Sequence, residues 1–297
     1  MSSLKRKPFT IGIAASSGTF DREVFLKGIE ALKQLGFAVW YRDDIFSRER
    51  YLAGSDERRR DELHELFMHP EIDAIMFARG GYGVQRILPL LSAELISKHP
   101  KAVLGYSDVT ALFLWLEKNC QVPRWYGPVV THLGKFPDTI TQESLVSAFI
   151  TPRALFRIPT HQAVVIQPGK ANGLLKGGCL TLLSSCIGTP HQLELNHDVL
   201  LIEDVDEHLY KIDRLLTHLQ QSGALAKASG IVFGKTVVPD CPPAEFHQFL
   251  REFFAEFQIP VIADFPAGHT PTFVCLPIGH KVELNAQGQE ITFSVLE

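Results

Sequence analysis

The stretch "FTIGIAAS", Phe9 to Ser16, decides the fold. It is a short apolar run that ends in small residues and is followed by an amphipathic segment, "DREVFLKGIEALKQLG", Asp21 to Gly36. The pair reads as a buried strand feeding a helix. The same alternation recurs along the next hundred residues. "FAVWYR" (37–42) is a strand, and "SDERRRDELHELFMH" (55–69) is a helix with Ser55 as its N-cap. "IDAIMFAR" (72–79) is a strand running straight into "GGYG" (80–83). "AVLGY" (102–106) precedes the helix "DVTALFLWLEKN" (108–119), and "RWYGPVV" (124–130) supplies a fifth strand. Strands alternating with helices imply a parallel sheet covered on both faces, an α/β fold.

The second half has another texture. "ANGLLKGGCLTLLSSCIGTP" (171–190) is apolar and punctuated by glycine, and "DVLLIEDV" (198–205) is a strand. A helix follows through "EHLYKIDRLLTHLQQSGAL", ending near Gly223. "ASGIVFGK" and "PVIADFPAG" are buried strands around the helix "AEFHQFLREFFAEF", and the chain closes in β-strands with a turn at Gly288. Between the halves, a proline-bearing stretch without helical periodicity reads as a crossover. The expected division is 1–155, a linker at 156–170, and 171–297.

Composition narrows the function. The 297 residues are 45% hydrophobic and 21% charged, with a net charge of −4 and no long basic run. A nucleic-acid partner is therefore not expected, because phosphate binding wants a clustered positive face. Five cysteines, none in a CxxC pair, point to a reducing compartment rather than a disulfide framework. The apolar run at the start is too short for a signal sequence, and no stretch has the length of a membrane span. A cytoplasmic protein without a membrane partner is the expectation.

In open parallel sheets, ligands bind beyond the carboxyl ends of the strands. That rule selects Ala15–Gly18, Arg79–Gly83, Ser107–Asp108, Glu203–Asp206 and Gly268–Thr270. Gly105-Tyr106-Ser107-Asp108-Val109 resembles a nucleophile elbow without its last glycine. An elbow projects the serine hydroxyl and leaves the next amides free to bind an oxyanion. A helix cap at Ser107 or Asp108 is the alternative, and for the fragment alone the commoner one. Gly80 and Gly81 let a backbone amide approach a ligand, as a second oxyanion donor, a phosphate cradle or only a tight turn. The phosphate case lacks both a following Lys-Ser or Lys-Thr and the GxGxxG spacing. Glu203 continues the apolar strand "VLLI", so its carboxylate needs a buried partner such as histidine. Its neighbours Asp204, Asp206 and Glu207 suit the start of a helix, and no metal-ligand spacing supports an ion. His269, in "DFPAGHTP" after an apolar strand, is the general-base candidate by position. The cysteines lie in apolar surroundings and read as core filling.

With those sites marked, the chain resembles the LD-carboxypeptidase family of serine peptidases, which includes the microcin-immunity peptidases. The matching pieces are "ARGGYG", "LGYSDVTAL", "GGCLTLLSSCIGTP", "LLIEDVDEHLYKIDRLLTHL" and "FPAGHTP", in the family's order. The resemblance implies a Ser107–Glu203–His269 triad, with oxyanion donors at the amides of Asp108 and Gly81. It implies a flavodoxin-like domain, similar to glutamine amidotransferases, and a smaller β-rich C-terminal domain, with the site in the cleft between them. It further implies a muropeptide tetrapeptide or small peptide substrate, release of terminal D-alanine in peptidoglycan recycling, no cofactor, and a homodimer. Arg79, with Gly80 and Tyr82, is the candidate for binding the substrate's terminal carboxylate. The alternatives are cleavage of a peptidyl-nucleotide antibiotic, as in the immunity branch, and a non-catalytic small-molecule binding module. Two departures from the family pattern stand out. Ala15 occupies a position where the family often has proline, and Cys179 one where it usually has asparagine.

Overall fold

Five strands form the parallel part of the first sheet: β1 (Thr10–Ala14), β2 (Ala38–Trp40), β3 (Ala74–Phe77), β4 (Ala102–Gly105) and β5 (Arg124–Tyr126). The computed structural model describes residues 7–150, 157–158, 160, 163–287 and 292–295. The spatial order is β5-β4-β3-β1-β2, so the strand direction of travel reverses between β1 and β3. This is the flavodoxin-like order, whose ligand crevice opens at that reversal. All five residues of β1 are buried, as a strand covered on both faces requires.

The second sheet draws on β6 (Arg157–Ile158), β7 (Val164–Gln167), β8 (Lys170–Cys179), β9 (Asp198–Glu203), β10 (Ala228–Gly234) and β11 (Val261–Phe265). β12 (Leu276–Ile278) leaves for the first sheet, and β13 (Lys281–Asn285) and β14 (Thr292–Val295) complete the second. Its order is β6-β14-β13-β8-β9-β10-β11-β7, with β8 to β11 parallel and the flanking strands antiparallel. The α/β expectation with a β-rich second half is what the structure shows.

Local rules account for the helices. Asp21 caps the helix Arg22–Gln34 by accepting from the Val24 amide at 2.8 Å, and that helix buries Phe25, Gly28, Ile29 and Leu32. Ser55 caps Asp56–Met68 as its spacing predicted, accepting from the Arg58 amide at 3.1 Å. No helix among the described residues is long and apolar enough to cross a membrane.

Two expectations need correction. The linker stretch is partly sheet, since β6 pairs with β14 and β7 with β11. An extended run without helical periodicity is also how an edge strand looks, and only its distant partner distinguishes it from a connector. Residues 151–156, 159 and 161–162, and the turn at Gly288, lie outside the described residues. The second correction concerns the C-terminal strands. β12 crosses over and pairs antiparallel with β5, Leu276 opposite Tyr126 and Ile278 opposite Arg124. The two halves therefore share a sheet next to Tyr126.

The helix Val130–Lys135 crosses Arg22–Gln34 at two glycines. A Cβ on Gly28 would press on the Val130 carbonyl and come within 2.8 Å of Val130 Cγ1, and one on Gly134 would lie 3.0 Å from the Gly28 nitrogen. Gly28→Ala gains about 1 kcal/mol of helix propensity, but backbone overpacking typically costs about 1–3 kcal/mol. Net destabilisation is the expected outcome, read as a lower urea midpoint with unchanged m-value; a raised midpoint would mean the helices separate freely.

Candidate active site

The carboxyl ends of β1, β3, β4, β9 and β11 come together: Gly18 bonds Gly80, Gly80 lies against Ser107, and Glu203 bonds His269. β4 ends at Gly105, and Ser107 follows with φ of +62°. Left-handed backbone is rare for a serine and marks a strained turn of the elbow kind. The helix Val109–Asn119 starts directly afterwards. Space for the Ser107 side chain comes from Gly80, where a Cβ would lie 2.9 Å from both Ser107 Cβ and Oγ.

Asp108 departs from one alternative reading. Its side chain makes no capping bond to its own helix. Instead Oδ2 accepts from the Val84 amide at 2.9 Å, across to the glycine turn after β3. Burial pushes the Asp108 carboxyl up to about 6, against the pull of Ser17, the Val84 amide and Arg59. The cap explanation of Ser107 and Asp108 therefore does not describe their side chains.

Glu203 ends β9 and is completely buried. Both carboxylate oxygens are engaged: Oε2 with His269 Nδ1 at 2.8 Å, and Oε1 as acceptor from the Tyr126 hydroxyl. The same Tyr126 oxygen accepts from the Ser107 amide at 3.3 Å. Glycines make room for the carboxylate. A Cβ on Gly234 would lie 2.7 Å from Glu203 Cβ, and one on Gly268, whose φ is +100°, would lie 2.8 Å from Glu203 Cγ. Tyr106, the residue before Ser107, packs edge-on against the His269 ring at 4.8 Å. Ser107, Glu203 and His269 are thus gathered into one cluster through Tyr126 and Tyr106.

Electrostatics separate two histidines that share this pocket. Burial alone would depress the His269 pKa, but the Glu203 charge and hydrogen bond, with Asp204 and Asp206 behind them, outweigh it. The net shift is upward from the ordinary histidine value. His132, whose ring lies 6.1 Å from that of Tyr106, is pushed down to about 4 by burial. His132 Nε2 lies 3.2 Å from the Pro271 carbonyl, which can only accept, so Nε2 carries the proton. It braces the loop that carries His269. Neither His132 nor Tyr126 was singled out by sequence; both lie in apolar strand and helix surroundings, and only their through-space partners give them a role.

The remaining expected residues line the same region. Gly80 is buried, and its carbonyl accepts from the Gly18 amide at 3.3 Å. Gly81 is exposed with φ of +110°. Arg79 is exposed and donates to the Thr19 carbonyl. Tyr82 is exposed and lies 6.1 Å, ring to ring, from Tyr51. Cys179 sits opposite Glu203 in the β8–β9 register, with its amide donating to Thr110 Oγ1 at 3.0 Å. Burial, then the charges of Asp204 and Glu203, push its thiol well up, so it stays a core thiol. Asp204 accepts from the Thr181 amide and hydroxyl, Asp206 takes left-handed backbone, and Glu207 pairs with Lys211. None of the three joins the Glu203–His269 pair by a hydrogen bond. Among the described residues, no group of three or more His, Cys, Asp or Glu is arranged to hold a metal ion.

Comparison with known proteins gives a consistent answer. Residues 11–127 match the LD-carboxypeptidase N-terminal domain, and residues 172–284 the LD-carboxypeptidase C-terminal domain. A probable murein peptide carboxypeptidase of Bacillus subtilis is 32% identical, over 93% of this chain and 88% of that one. A murein tetrapeptide carboxypeptidase of Pseudomonas aeruginosa is 34% identical, over 92% of both. The solved structure of the Microcin C7 self immunity protein MccF, in an inactive mutant apo state, superposes with a TM-score of 0.89 at 26% identity. It covers 98% of this chain and 96% of the other; the curated MccF sequence is from Escherichia coli.

The His269 shift has a sign that can be checked. Its imidazolium persists to higher pH than that of a free histidine, so the stability it contributes is full at low pH and is lost as pH rises through the raised pKa. Nuclear magnetic resonance titration of the imidazoles should place His269 above the ordinary histidine value. His132 should remain neutral down to about 4. Glu203→Gln should lower the His269 pKa; a value unmoved by that change would mean Glu203 does not set it.

Proposed function

The chain belongs to the LD-carboxypeptidase family of serine peptidases, and on that premise we propose that it releases terminal D-alanine from muropeptide tetrapeptides by a Ser107–Glu203–His269 triad. The bond cleaved is the L,D-amide between the diaminopimelate or lysine residue and D-alanine. The observation that carries this reading is the buried Glu203 carboxylate held 2.8 Å from His269 Nδ1, beside a serine in left-handed backbone.

The chemistry follows from those atoms. Glu203 accepts from Nδ1–H of His269, which leaves Nε2 as the base. Nε2 takes the Ser107 proton while Oγ attacks the scissile carbonyl. The amides of Asp108 and Gly81 hold the oxyanion, each donor contributing about 3 kcal/mol in comparable enzymes. The tetrahedral intermediate collapses as His269 gives the proton to the departing D-alanine nitrogen. Water, deprotonated by His269, then hydrolyses the Ser107 ester and restores the enzyme. No step draws on a metal or organic cofactor. Arg79 supplies the cation for the substrate's terminal carboxylate, with Gly80 and Tyr82 flanking it. In this reading residues 1–155 carry the nucleophile and 171–297 the acid and base, and the protein works in the cytoplasm as a homodimer. Five unpaired, buried cysteines are in keeping with that compartment.

A second reading rests on the close superposition on MccF: cleavage of a peptidyl-nucleotide antibiotic by the same residues. Purified protein given tetrapeptide should release D-alanine at a rate unaffected by EDTA. Ser107→Ala should lower kcat by at least about four orders of magnitude. Release that survives Ser107→Ala discards the serine mechanism. Turnover of the antibiotic conjugate without turnover of tetrapeptide selects the second reading, and binding of either without turnover a non-catalytic module. The rate should also rise with pH through an inflection above the ordinary histidine value, because His269 acts as base only when unprotonated.

A further inference from the structure

Of the two oxyanion donors in the proposed mechanism, one amide lies on β4's turn and the other on the glycine turn after β3. No β-ladder bond joins these turns, since β3 ends at Phe77 and β4 at Gly105. Something else has to keep them in register.

Two completely buried charged residues meet there, Arg59 and Asp108. Arg59 reaches in from the helix Asp56–Met68. Its Nη1 donates to the Gly83 carbonyl at 2.8 Å and to the Ser16 carbonyl at 2.6 Å, and its Nη2 pairs with Asp56. It thereby ties the turn after β3 to the turn after β1. A Cβ on Gly83, whose φ is +144°, would come within 2.6 Å of Arg59 Nη1, so the guanidinium lies directly against the turn. In the same peptide unit, the Val84 amide donates to Asp108 Oδ2 at 2.9 Å. The Gly83–Val84 peptide is therefore gripped from both sides, its carbonyl by a cation and its amide by an anion. At the other end of the turn, Gly80 rests against Ser107, and the Gly80 carbonyl accepts from the Gly18 amide at 3.3 Å.

Asp108 has two attachments: its main chain supplies one oxyanion amide, and its side chain holds the turn that supplies the other. We propose that the Asp108 carboxylate and the Arg59 guanidinium are positioning residues, a clamp on the Gly83–Val84 peptide that keeps the Gly81 amide in register with the Asp108 amide over Ser107. This rests on the serine mechanism proposed above. Burying two charges is costly unless each is well bonded, and apolar side chains could fill the same space. What apolar side chains cannot do is fix a peptide plane, and an oxyanion donor depends on where its N–H points. A displacement on the order of 1 Å at such a donor is enough to cost about a hundredfold in rate.

The test uses a fluorophosphonate, whose adduct with a reactive serine places an oxygen at the oxyanion position and needs no knowledge of the substrate. On the purified full chain, wild-type labelling at Ser107 is expected, mapped by mass spectrometry. Asp108→Ala should label at least about tenfold more slowly, whereas Asp108→Asn, which keeps an oxygen for the Val84 amide, should recover most of the loss. Arg59→Lys keeps the charge but is shorter and has one nitrogen where the guanidinium uses two, Nη1 on the carbonyls and Nη2 on Asp56, and should slow labelling several-fold. With tetrapeptide, the loss in Asp108→Ala should fall on kcat, taken per mole of protein shown to be folded by circular dichroism, and leave KM within about twofold. Folded Asp108→Ala that labels at the wild-type rate overturns the clamp and leaves the peptidase reading intact. So does Asp108→Asn as slow as Asp108→Ala. Should Asp108→Ala fail to fold, unchanged labelling of Arg59→Lys overturns the clamp by itself. Wild-type protein that resists labelling at Ser107 overturns the serine mechanism and the clamp with it.

Discussion

The molecule turns on a buried carboxylate with two partners from different places. Glu203 lies on the second sheet, His269 follows a strand of that same sheet, and Tyr126 belongs to the first. A charge removed from water is tolerated only when its lone pairs are taken up, and losing one partner of such a group costs about 3–5 kcal/mol. Seating Glu203 therefore requires both sheets to be in their final relation. β12 supports the same relation independently, because it pairs next to Tyr126 while belonging in sequence to the second half. Assembly of the cleft and correct placement of its acid are one event.

Within that cleft, protonation is divided between neighbours by their partners. His132 and His269 are both largely withdrawn from water and both touch Tyr106. His132 faces a carbonyl, which cannot stabilise a positive ring as a carboxylate can, and burial wins. His269 faces Glu203, and the carboxylate wins. One ring is held neutral against a carbonyl, and the other holds its proton to higher pH. The opposing oxygen sets the sign of the shift, and the deeper burial of His132 beside the half-buried His269 adds to the difference.

Much of this was legible in the sequence, because it depends on local patterns. The alternating strands and helices, the Ser55 cap and the strand-end positions of Ser107, Glu203 and His269 each follow from spacing along a few residues. The order of the motifs then suggested the family. What stayed hidden depends on partners distant in the chain. Tyr126 reads as an ordinary strand aromatic until Glu203, 77 positions later, is placed on its hydroxyl. Val164–Gln167 reads as connector because its partner, β11, lies about a hundred residues on. Asp108 looks like a helix cap in sequence, but its backbone is already helical, at φ −54° and ψ −25°, and its side chain takes the Val84 amide instead. The exact substrate is hidden for another reason: Arg79, Gly81 and Tyr82 are exposed in the turn after β3, where no periodicity constrains them.

One departure from the family pattern, Ala15, ties the turn after β1 to the helix Asp56–Met68. The Ala15 amide donates to Glu62 Oε2 at 2.6 Å, and Glu62 is completely buried and shared with Arg58. A proline at position 15 would have no N–H to give. It would withdraw one donor from Glu62 and leave both carboxylate oxygens to Arg58. Residues 15 and 62, 47 apart in the chain, are thus chemically coupled through one hydrogen bond.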